Sequence, residues 1–302
     1  MNEIWSYNSM QNVPQSFRLT LNEGNTPIRK IDINGLAVMI KDENANPNGS
    51  FKDRSLAYQL SYHIASGKRK FVISSSGNAA VSAAAYAGLA GVELDVFVAE
   101  KVNPLKLEKL SKFENGSVRI HQSAKPKSDA VKFASEEKAF NLRGSQDEAA
   151  VTGFKTIAYE ICKQYPEVSE VFIPCSSGTS TVGIAKGFNE HKKAVKIFIC
   201  QTSKIHSIAK TFDHHFVSVT KSFADAITDR VAHRKNEVVD IVKKSGGGGF
   251  VVNDALLYQA EDIVEKQGLS YSYNSLLSLA GLLKAQTQGI ELLNPVVIAS
   301  GL

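Results

Sequence analysis

The sequence predicts an α/β protein of two doubly wound, three-layer lobes built on parallel sheets. Three observations carry this prediction. Short apolar runs alternate with longer helical patterns along most of the chain, the rhythm of strands covered by helices on both faces. The runs, such as Phe71-Val72-Ile73 and Val171-Phe172-Ile173, lack polar alternation, as strands buried on both sides should. At 302 residues the chain is long enough for about two domains and needs no covalent staple.

Taken in order, Leu36 to Ile40 reads as a strand and Ser55 to Ala65 as a helix. Phe71 to Ile73 is the next strand, and Asn78 to Leu89 an Ala-rich buried helix, too short to span a membrane. Leu94 to Val98, a charged helix over Pro104 to Lys112, Val118 to Ile120 and a helix over Ser128 to Ala139 follow. The second half repeats the rhythm: helix Thr156 to Gln164, strand Val171 to Ile173, helix Thr181 to Glu190, strand Lys196 to Cys200. Helices over Val238 to Lys244, Ala255 to Lys266 and Ser275 to Ala285 precede a last strand, Pro295 to Ala299. Gly246 to Gly249 reads as a mobile loop.

The net charge of +5 is scattered along the chain, which suits anionic small ligands or a solvated surface and forms no nucleic-acid stripe. Cys162, Cys175 and Cys200 are odd in number and form no CxxC, so reduced thiols in a cytoplasmic protein are expected, with neither a disulfide framework nor a zinc site. Met1 to Met10 lacks the charged-then-apolar order of a signal peptide. His214, His215 and His233 have no carboxylate or thiol at ligand spacing and read as loop histidines; no metal is expected. Trp5 and Tyr7 would pack on a neighbouring subunit or on their own domain.

Three turns carry chemistry. Asn46-Pro47-Asn48-Gly49-Ser50 precedes a helix with Ser50 as its N-cap and Lys52 in the first turn. A lysine there opposes the helix dipole. It is either a tolerated surface residue or an amine whose environment favours the neutral, nucleophilic form, and the residues alone leave these readings level. Ser74-Ser75-Ser76-Gly77-Asn78 joins a strand to a helix and reads as a carboxylate or phosphate receptor, or as an ordinary capped turn. Pro174-Cys175-Ser176-Ser177-Gly178-Thr179-Ser180-Thr181 has more hydroxyls than capping needs and lacks the Walker lysine and GxGxxG. A compact phosphate cup fits it, with Cys175 a small filler.

These turns carry a resemblance. Gly24-Asn25-Thr26-Pro27-Ile28, Asn46 to Arg54, Ser75-Ser76-Gly77-Asn78-Ala79-Ala80 and Gly153-Phe154-Lys155-Thr156-Ile157-Ala158-Tyr159-Glu160 occur in the order seen in threonine synthases. The chain thus resembles the fold-type-II, tryptophan synthase β-like family of pyridoxal-phosphate (PLP) enzymes from Gly24 to Gly301. The resemblance implies PLP in a cleft between a smaller lobe over 31–145 and a larger one of 1–30 with 146–302. It implies a Schiff base on Lys52, which also shuttles protons, and a hydrogen bond from Asn78 to the cofactor's phenolic oxygen. Ser75, Ser76 and Gly77 would hold the substrate carboxylate. Ser176, Ser177, Gly178, Thr179 and Ser180 would cradle the cofactor phosphate. Ser300 would face the pyridine nitrogen, a neutral contact suited to elimination and replacement. A homodimer and a small amino-acid substrate are implied too.

The substrate side departs from the family. Where threonine synthases often carry Asn-Ser-x-Asn-Pro-x-Arg, this chain reads Gly144-Ser145-Gln146-Asp147-Glu148-Ala149-Ala150, which keeps Ser145, loses the arginine and gains two acids that would repel a phosphate. Arg143, Arg54 or Lys155 would have to compensate, and Ser145 and Lys155 complete the expected substrate contacts. Glu-Pro-x-Ser-Ala is replaced by Ser272-Tyr273-Asn274-Ser275-Leu276, and Arg-Ile-Gly is replaced around Thr228 to Arg234. The resemblance therefore implies a lyase converting O-phospho-L-homoserine and water to L-threonine and phosphate. A serine/threonine dehydratase or a cysteine synthase-type β-replacement enzyme is the alternative that the lost arginine favours. A catalytically idle PLP or metabolite binder is a third reading, against which Lys52 and Asn78 stand.

Overall fold

The computed structural model describes residues 4–301; Met1–Glu3, the first residues of the stretch weighed as a leader, and Leu302 lie outside the described residues. In chain order the elements are β1 (Ile28–Ile33), β2 (Leu36–Asp42), α1 (Lys52–Ala65), β3 (Lys70–Ser74), α2 (Asn78–Ala90), β4 (Glu93–Ala99), α3 (Pro104–Ser111), β5 (Val118–Ser123), α4 (Pro126–Glu136) and β6 (Phe140–Asn141). They continue with α5 (Glu148–Gln164), β7 (Glu170–Pro174), α6 (Thr179–Glu190), β8 (Lys196–Thr202), α7 (Lys235–Lys244), β9 (Gly248–Val252), α8 (Asp254–Glu265), α9 (Tyr273–Thr287) and β10 (Pro295–Ala299). The expected strands and helices are all present, with ends moved by a few residues, and the fold is the α/β arrangement that the alternation predicts.

The chain divides into two compact units. One joins the N-terminal stretch through Asn25 to Asn46–Gly153, and the other joins Thr26–Ala45 to the chain from Phe154 onward. These spans differ from 31–145 and its complement at the front of the chain. The reason is strand pairing: β2 runs parallel to β10, with Met39 opposite Val296, so the β1–β2 hairpin lies in the sheet of the larger unit. The N-terminal stretch packs in the smaller unit, where Trp5 stacks on Tyr58 of α1 at 5.7 Å and donates its Nε1 proton to the Leu19 carbonyl at 2.9 Å.

The smaller unit carries a four-stranded parallel sheet in the order β5-β4-β3-β6. The larger carries six strands in the order β1-β2-β10-β7-β8-β9, parallel except for the antiparallel β1–β2 pair. That pair turns through Asn34 and Gly35 at φ 52° and 86°, the two positive values a type I′ hairpin requires. On one face of the larger sheet, Phe172, Phe198 and Phe250 stack, the first two with centroids 4.7 Å apart, beneath the apolar side of α9. Each fully buried ring of this kind contributes about 1.5–3 kcal/mol relative to exposure.

The glycine run corrects its sequence reading. Gly248 and Gly249 open strand β9, paired with Phe198 and Ile199 of β8. A Cβ on Gly247 would lie 2.0 Å from the Ile197 carbonyl oxygen. The run is built for close backbone approach and is not a mobile loop.

Both sheets have a topological switch point. From β3 the chain proceeds through α2 to β4 on one side, while β6 flanks β3 on the other. From β7 it proceeds through α6 to β8, while β10 flanks the opposite side. In open α/β sheets, ligands bind beyond the carboxyl ends of strands at such points. Ser75–Gly77 and Cys175–Gly178 are the segments that occupy those positions.

Candidate functional site

In the smaller unit, local hydrogen bonds fix the approach to Lys52. Asn46 accepts the Gly49 N–H at its carbonyl (2.8 Å) and the Gly24 N–H at its side chain (3.0 Å). The fully buried Asp53 carboxylate accepts the Asn48 N–H at 2.7 Å and its side-chain amide at 2.8 Å. The Ser50 hydroxyl accepts the Lys52 N–H at 3.3 Å, so Ser50 caps the helix from two residues before it, with Phe51 between. Lys52 is thus held at the first turn of α1, half-buried, its Nζ 5.0 Å from the centroid of the Phe51 ring.

Ser75, Ser76 and Gly77 run from β3 into α2, which begins at Asn78. All four residues are partly exposed, and a Cβ on Gly77 would meet no atom within 4 Å, so open space lies beside this backbone. The Ser75 hydroxyl accepts the Gly77 N–H at 3.3 Å. The first four N–H groups of a helix lack intrahelical acceptors, so the start of α2 offers donors to an anion. Because α1 leads into β3 and packs on α2, the first turns of both helices lie at the carboxyl end of β3. This brings Lys52 to the same end of the unit as Ser75, Ser76, Gly77 and Asn78.

In the larger unit the phosphate cup of the sequence reading lies between β7 and α6. Gly178 has φ 97°, and a Cβ there would stand 2.6 Å from Val238 Cγ2. A left-handed glycine with no room for a side chain, followed by the N-terminus of a twelve-residue helix, fits a phosphate cradle. Ser177 and Thr179 share a hydroxyl–hydroxyl hydrogen bond at 3.0 Å, and Ser180 follows in the first turn. Cys175 is fully buried, which pushes its thiol up to about 11; it is a packed thiol at neutral pH.

Ser176 is engaged elsewhere. Its hydroxyl donates to Asp229 Oδ2 at 2.9 Å and accepts the Thr228 and Asp229 N–H groups at 3.2 and 3.3 Å. A serine has one hydroxyl proton, so in this arrangement the Ser176 side chain serves the 228–229 segment, and its contribution to the expected cup is the backbone N–H.

Ser300 follows β10, which runs beside β7 with Val297 opposite Phe172, so Ser300 and the 175–178 loop leave the sheet at the same end. The Ser300 hydroxyl donates to the Asn274 carbonyl at 3.4 Å. Ser272 and Ser275 donate to the Gly301 carbonyl at 2.6 and 2.8 Å, and Ser275 accepts the Gly301 N–H at 3.0 Å. The departure at Ser272–Leu276 is therefore the clamp that fixes Ser300.

Lys155 and Ser145, the two further expected substrate contacts, lie as follows. Lys155 pairs with Glu190 at 2.6 Å, and Tyr159 donates to the same carboxylate. Burial works to raise Glu190, but the hydrogen bonds from Lys155 and Tyr159 outweigh it and hold the carboxyl below its usual range. Glu190 ends α6, about 16 Å from the start of that helix at 1.5 Å per residue, so in this structure the Lys155 amine is paired at the far end of α6 from the Gly178 turn. Ser145 sits partly buried in the 3-10 turn Gly144–Gln146 just before α5.

The acids that entered beside Ser145 also have partners. Asp147 accepts from Gln59 at 2.7 Å, lies 2.7 Å from His63 Nε2, and caps α5 by accepting the Ala149 N–H at 2.9 Å. Burial raises its carboxyl, and the hydrogen bonds of His63 and Gln59 more than reverse this, leaving it below the ordinary range. Among the described residues no group of three or more His, Cys, Asp or Glu could hold a metal, and no helix is long and apolar enough to cross a membrane.

Comparison with known proteins agrees on one cofactor family. The family model described as pyridoxal-phosphate dependent enzyme matches residues 19–301. The chain is similar to threonine synthase of Halalkalibacterium halodurans, 28% identical over 280 residues that cover 90% of this chain and 79% of that one. It is 27% identical to threonine synthase of Methanocaldococcus jannaschii over 310 residues, covering 95% and 76%. Among solved structures, maize serine racemase superposes with a TM-score of 0.82 at 18% identity, covering 97% of this chain and 92% of that one. The processed threonine deaminase isoform 2 of Solanum lycopersicum does so at 0.79 and 19%, covering 99% and 89%. These likenesses give the fold, that of fold-type-II PLP enzymes.

Proposed function

Given that the chain belongs to the family of pyridoxal-phosphate dependent enzymes, we propose that it is a lyase acting on a small amino acid by elimination or replacement, in the manner of threonine synthase. The observation that carries this reading is the placement of Lys52. A half-buried amine heads α1 on a turn fixed by Asn46, Asn48 and Asp53, at the same sheet end as an anion receptor at Ser75–Asn78.

Bound PLP supplies the electron sink that makes loss of an α proton and of a β or γ leaving group accessible. The residues supply the rest. Lys52 holds the cofactor through its amine and moves the proton at the substrate Cα. Ser75, Ser76 and Gly77 bind the substrate carboxylate with hydroxyls and N–H groups, and Asn78 donates to the cofactor's phenolic oxygen. Ser177, Gly178, Thr179 and Ser180 hold the cofactor phosphate. Ser300, beside the Ser272–Ser275 clamp, would turn its one proton from the Asn274 carbonyl to the pyridine nitrogen, a neutral contact that does not protonate that nitrogen.

The threonine synthase version rests on relatives that carry that name over 90% and 95% of this chain. One observation favours a second reading, deamination of serine or threonine: Gly144–Ala150 holds no arginine, and Lys155 is spent on Glu190. Incubating the PLP-loaded protein with O-phospho-L-homoserine, serine and threonine separates the two. Release of inorganic phosphate with threonine formation supports the first. A 2-oxo acid from serine or threonine, without phosphate release, replaces it by the second. No product from any of them removes both and leaves a cofactor-binding protein.

A further inference from the structure

In the larger unit, the connection between β8 and α7 encloses an open groove of about 350 Å³ lined by Lys204, His206, Ser207, Lys210, Thr220 and Arg230, with Ile205 and Val219 as its apolar part. We infer that this groove is a binding site for a small, multiply charged phosphate compound, separate from the cofactor phosphate cup.

The first argument is charge. Lys204, Lys210 and Arg230 converge on one groove whose lining contains no carboxylate. Three less exposed cations of the same unit are neutralised: Lys41 lies 2.7 Å from Glu160, Lys284 2.5 Å from Asp213, and Lys155 2.6 Å from Glu190. Asp229, the acid adjacent to Arg230, is directed to the Ser176 hydroxyl instead. A concave surface lined by one sign of charge concentrates the opposite sign, and an arginine flanked by lysines matches the several oxygens of a phosphate.

The second argument is that the groove is built. Gln201, fully buried on β8, accepts the Ile208 and Ala209 N–H groups at 2.7 and 2.8 Å and donates to the Cys175 carbonyl at 3.1 Å. This pins the turn that presents Ser207 and Lys210. Ser207 donates to the Asp229 carbonyl at 3.2 Å, which fixes the backbone beside Arg230, and the Val219 N–H bonds the Ser203 carbonyl at 3.1 Å, which fixes the wall carrying Thr220. His206 packs on Phe216 with centroids 4.5 Å apart, and its Nδ1 is buried with no hydrogen-bond partner in the protein. The volume is at the lower end for small-molecule pockets, which suits a pyrophosphate or a phosphorylated metabolite rather than a polymer.

The test is calorimetric titration of the PLP-loaded protein with pyrophosphate at low ionic strength, so that the cofactor already fills the cup between β7 and α6. Binding at one site per chain is expected, with at least fivefold weakening in each of Lys204→Gln, Lys210→Gln and Arg230→Gln. All three positions are exposed, so these variants should fold and keep the visible band of the lysine-bound cofactor. Unchanged affinity in the Lys210→Gln/Arg230→Gln double variant would overturn the assignment. Equal affinity for citrate would overturn the phosphate class. Absence of the visible band from the unsubstituted protein, with pyrophosphate binding weakened by the same three substitutions, would count against the Lys52 reading alone and leave the groove standing.

Discussion

Lys41 Nζ lies 2.7 Å from Glu160 Oε2 in the larger unit, and the two side chains are 0% and 3% exposed. Lys41 also donates to the Thr26 carbonyl at 2.6 Å and to Gln164 at 2.9 Å, and Thr26 donates to Glu43 at 2.6 Å. Two runs that carry the family resemblance, around Thr26 and around Glu160, thus meet in one buried polar network. Removing one charge strands the other in the interior. Glu160→Ala should cost about 3–5 kcal/mol in urea unfolding. The double variant Lys41→Met/Glu160→Leu should cost less than either single change. A loss below about 1 kcal/mol in Glu160→Ala would show that the pair does not hold this network.

Lys52→Ala should abolish the visible band of lysine-bound PLP while leaving the far-ultraviolet circular dichroism unchanged, since Lys52 is half-buried and the turn is held by Asn46 and Asp53. A yellow Lys52→Ala protein whose band resists dialysis would move the attachment to another lysine.

Gly178→Ala should weaken PLP binding at least tenfold. A side chain there is strained at φ 97°, and its Cβ would meet Val238 at 2.6 Å. Overpacking of this kind costs about 1–3 kcal/mol, so the melting temperature should fall as well. Ser176→Ala tests which of its two partners the hydroxyl serves. It should leave PLP affinity within about twofold, because that hydroxyl is directed to Asp229 and the backbone N–H is retained, while loosening the 228–229 segment to proteolysis. A tenfold loss of PLP affinity in Ser176→Ala would assign that hydroxyl to the cup.

Acid should act partly through Asp147. Its carboxyl is held below the ordinary value in the folded state, so its stabilisation is complete above the unfolded value of about 3.9 and is lost as pH falls through the lower, folded one. Asp95, where burial is outweighed by hydrogen bonds from Arg119 and His121, and Glu190 are shifted the same way and add to the effect. Asp147→Asn should lower stability at pH 7 by about 1–3 kcal/mol and flatten the decline below about pH 4. An unaltered slope in that range would mean that the His63 and Gln59 contacts do not favour the charged form.

What the sequence made legible was local. The turns that carry Lys52, Asn78 and Ser177–Ser180 stand where strand ends and helix starts adjoin them in the chain. Two further local signals lie in the sequence. Asn34-Gly35 between Ile33 and Leu36 is a hairpin signature, and it announces β1. Asp147 before Glu148 is an N-cap with an acid in the first turn, and it announces the true start of α5. What was not legible depends on contacts far apart in the chain. The pairing of Lys155 with Glu190, thirty-five residues on, cannot be read from either segment alone. Nor can the hydrogen bond of Ser176 to Asp229, fifty-three residues on. The glycine run looked flexible because composition reports what a backbone can do, and only β8 decides what it does.

Strand β1 is the outermost strand on its side of the larger sheet, so one row of its backbone groups has no neighbouring strand in that sheet. Gln267 covers part of that edge, accepting the Asp32 N–H at 2.9 Å and donating to the Asp32 carbonyl at 3.1 Å; what stays open invites another chain to add itself, the first step of fibrous aggregation. The residues exposed along β1 are Arg29, Lys30 and Asp32, while Ile31 and Ile33 turn inward. An incoming strand would therefore have to strip water from charged side chains to gain its hydrogen bonds. Replacing these charges by valine or threonine would leave the proposed chemistry untouched and cost the protein its solubility at high concentration, a liability that an assay of activity in dilute solution would not reveal.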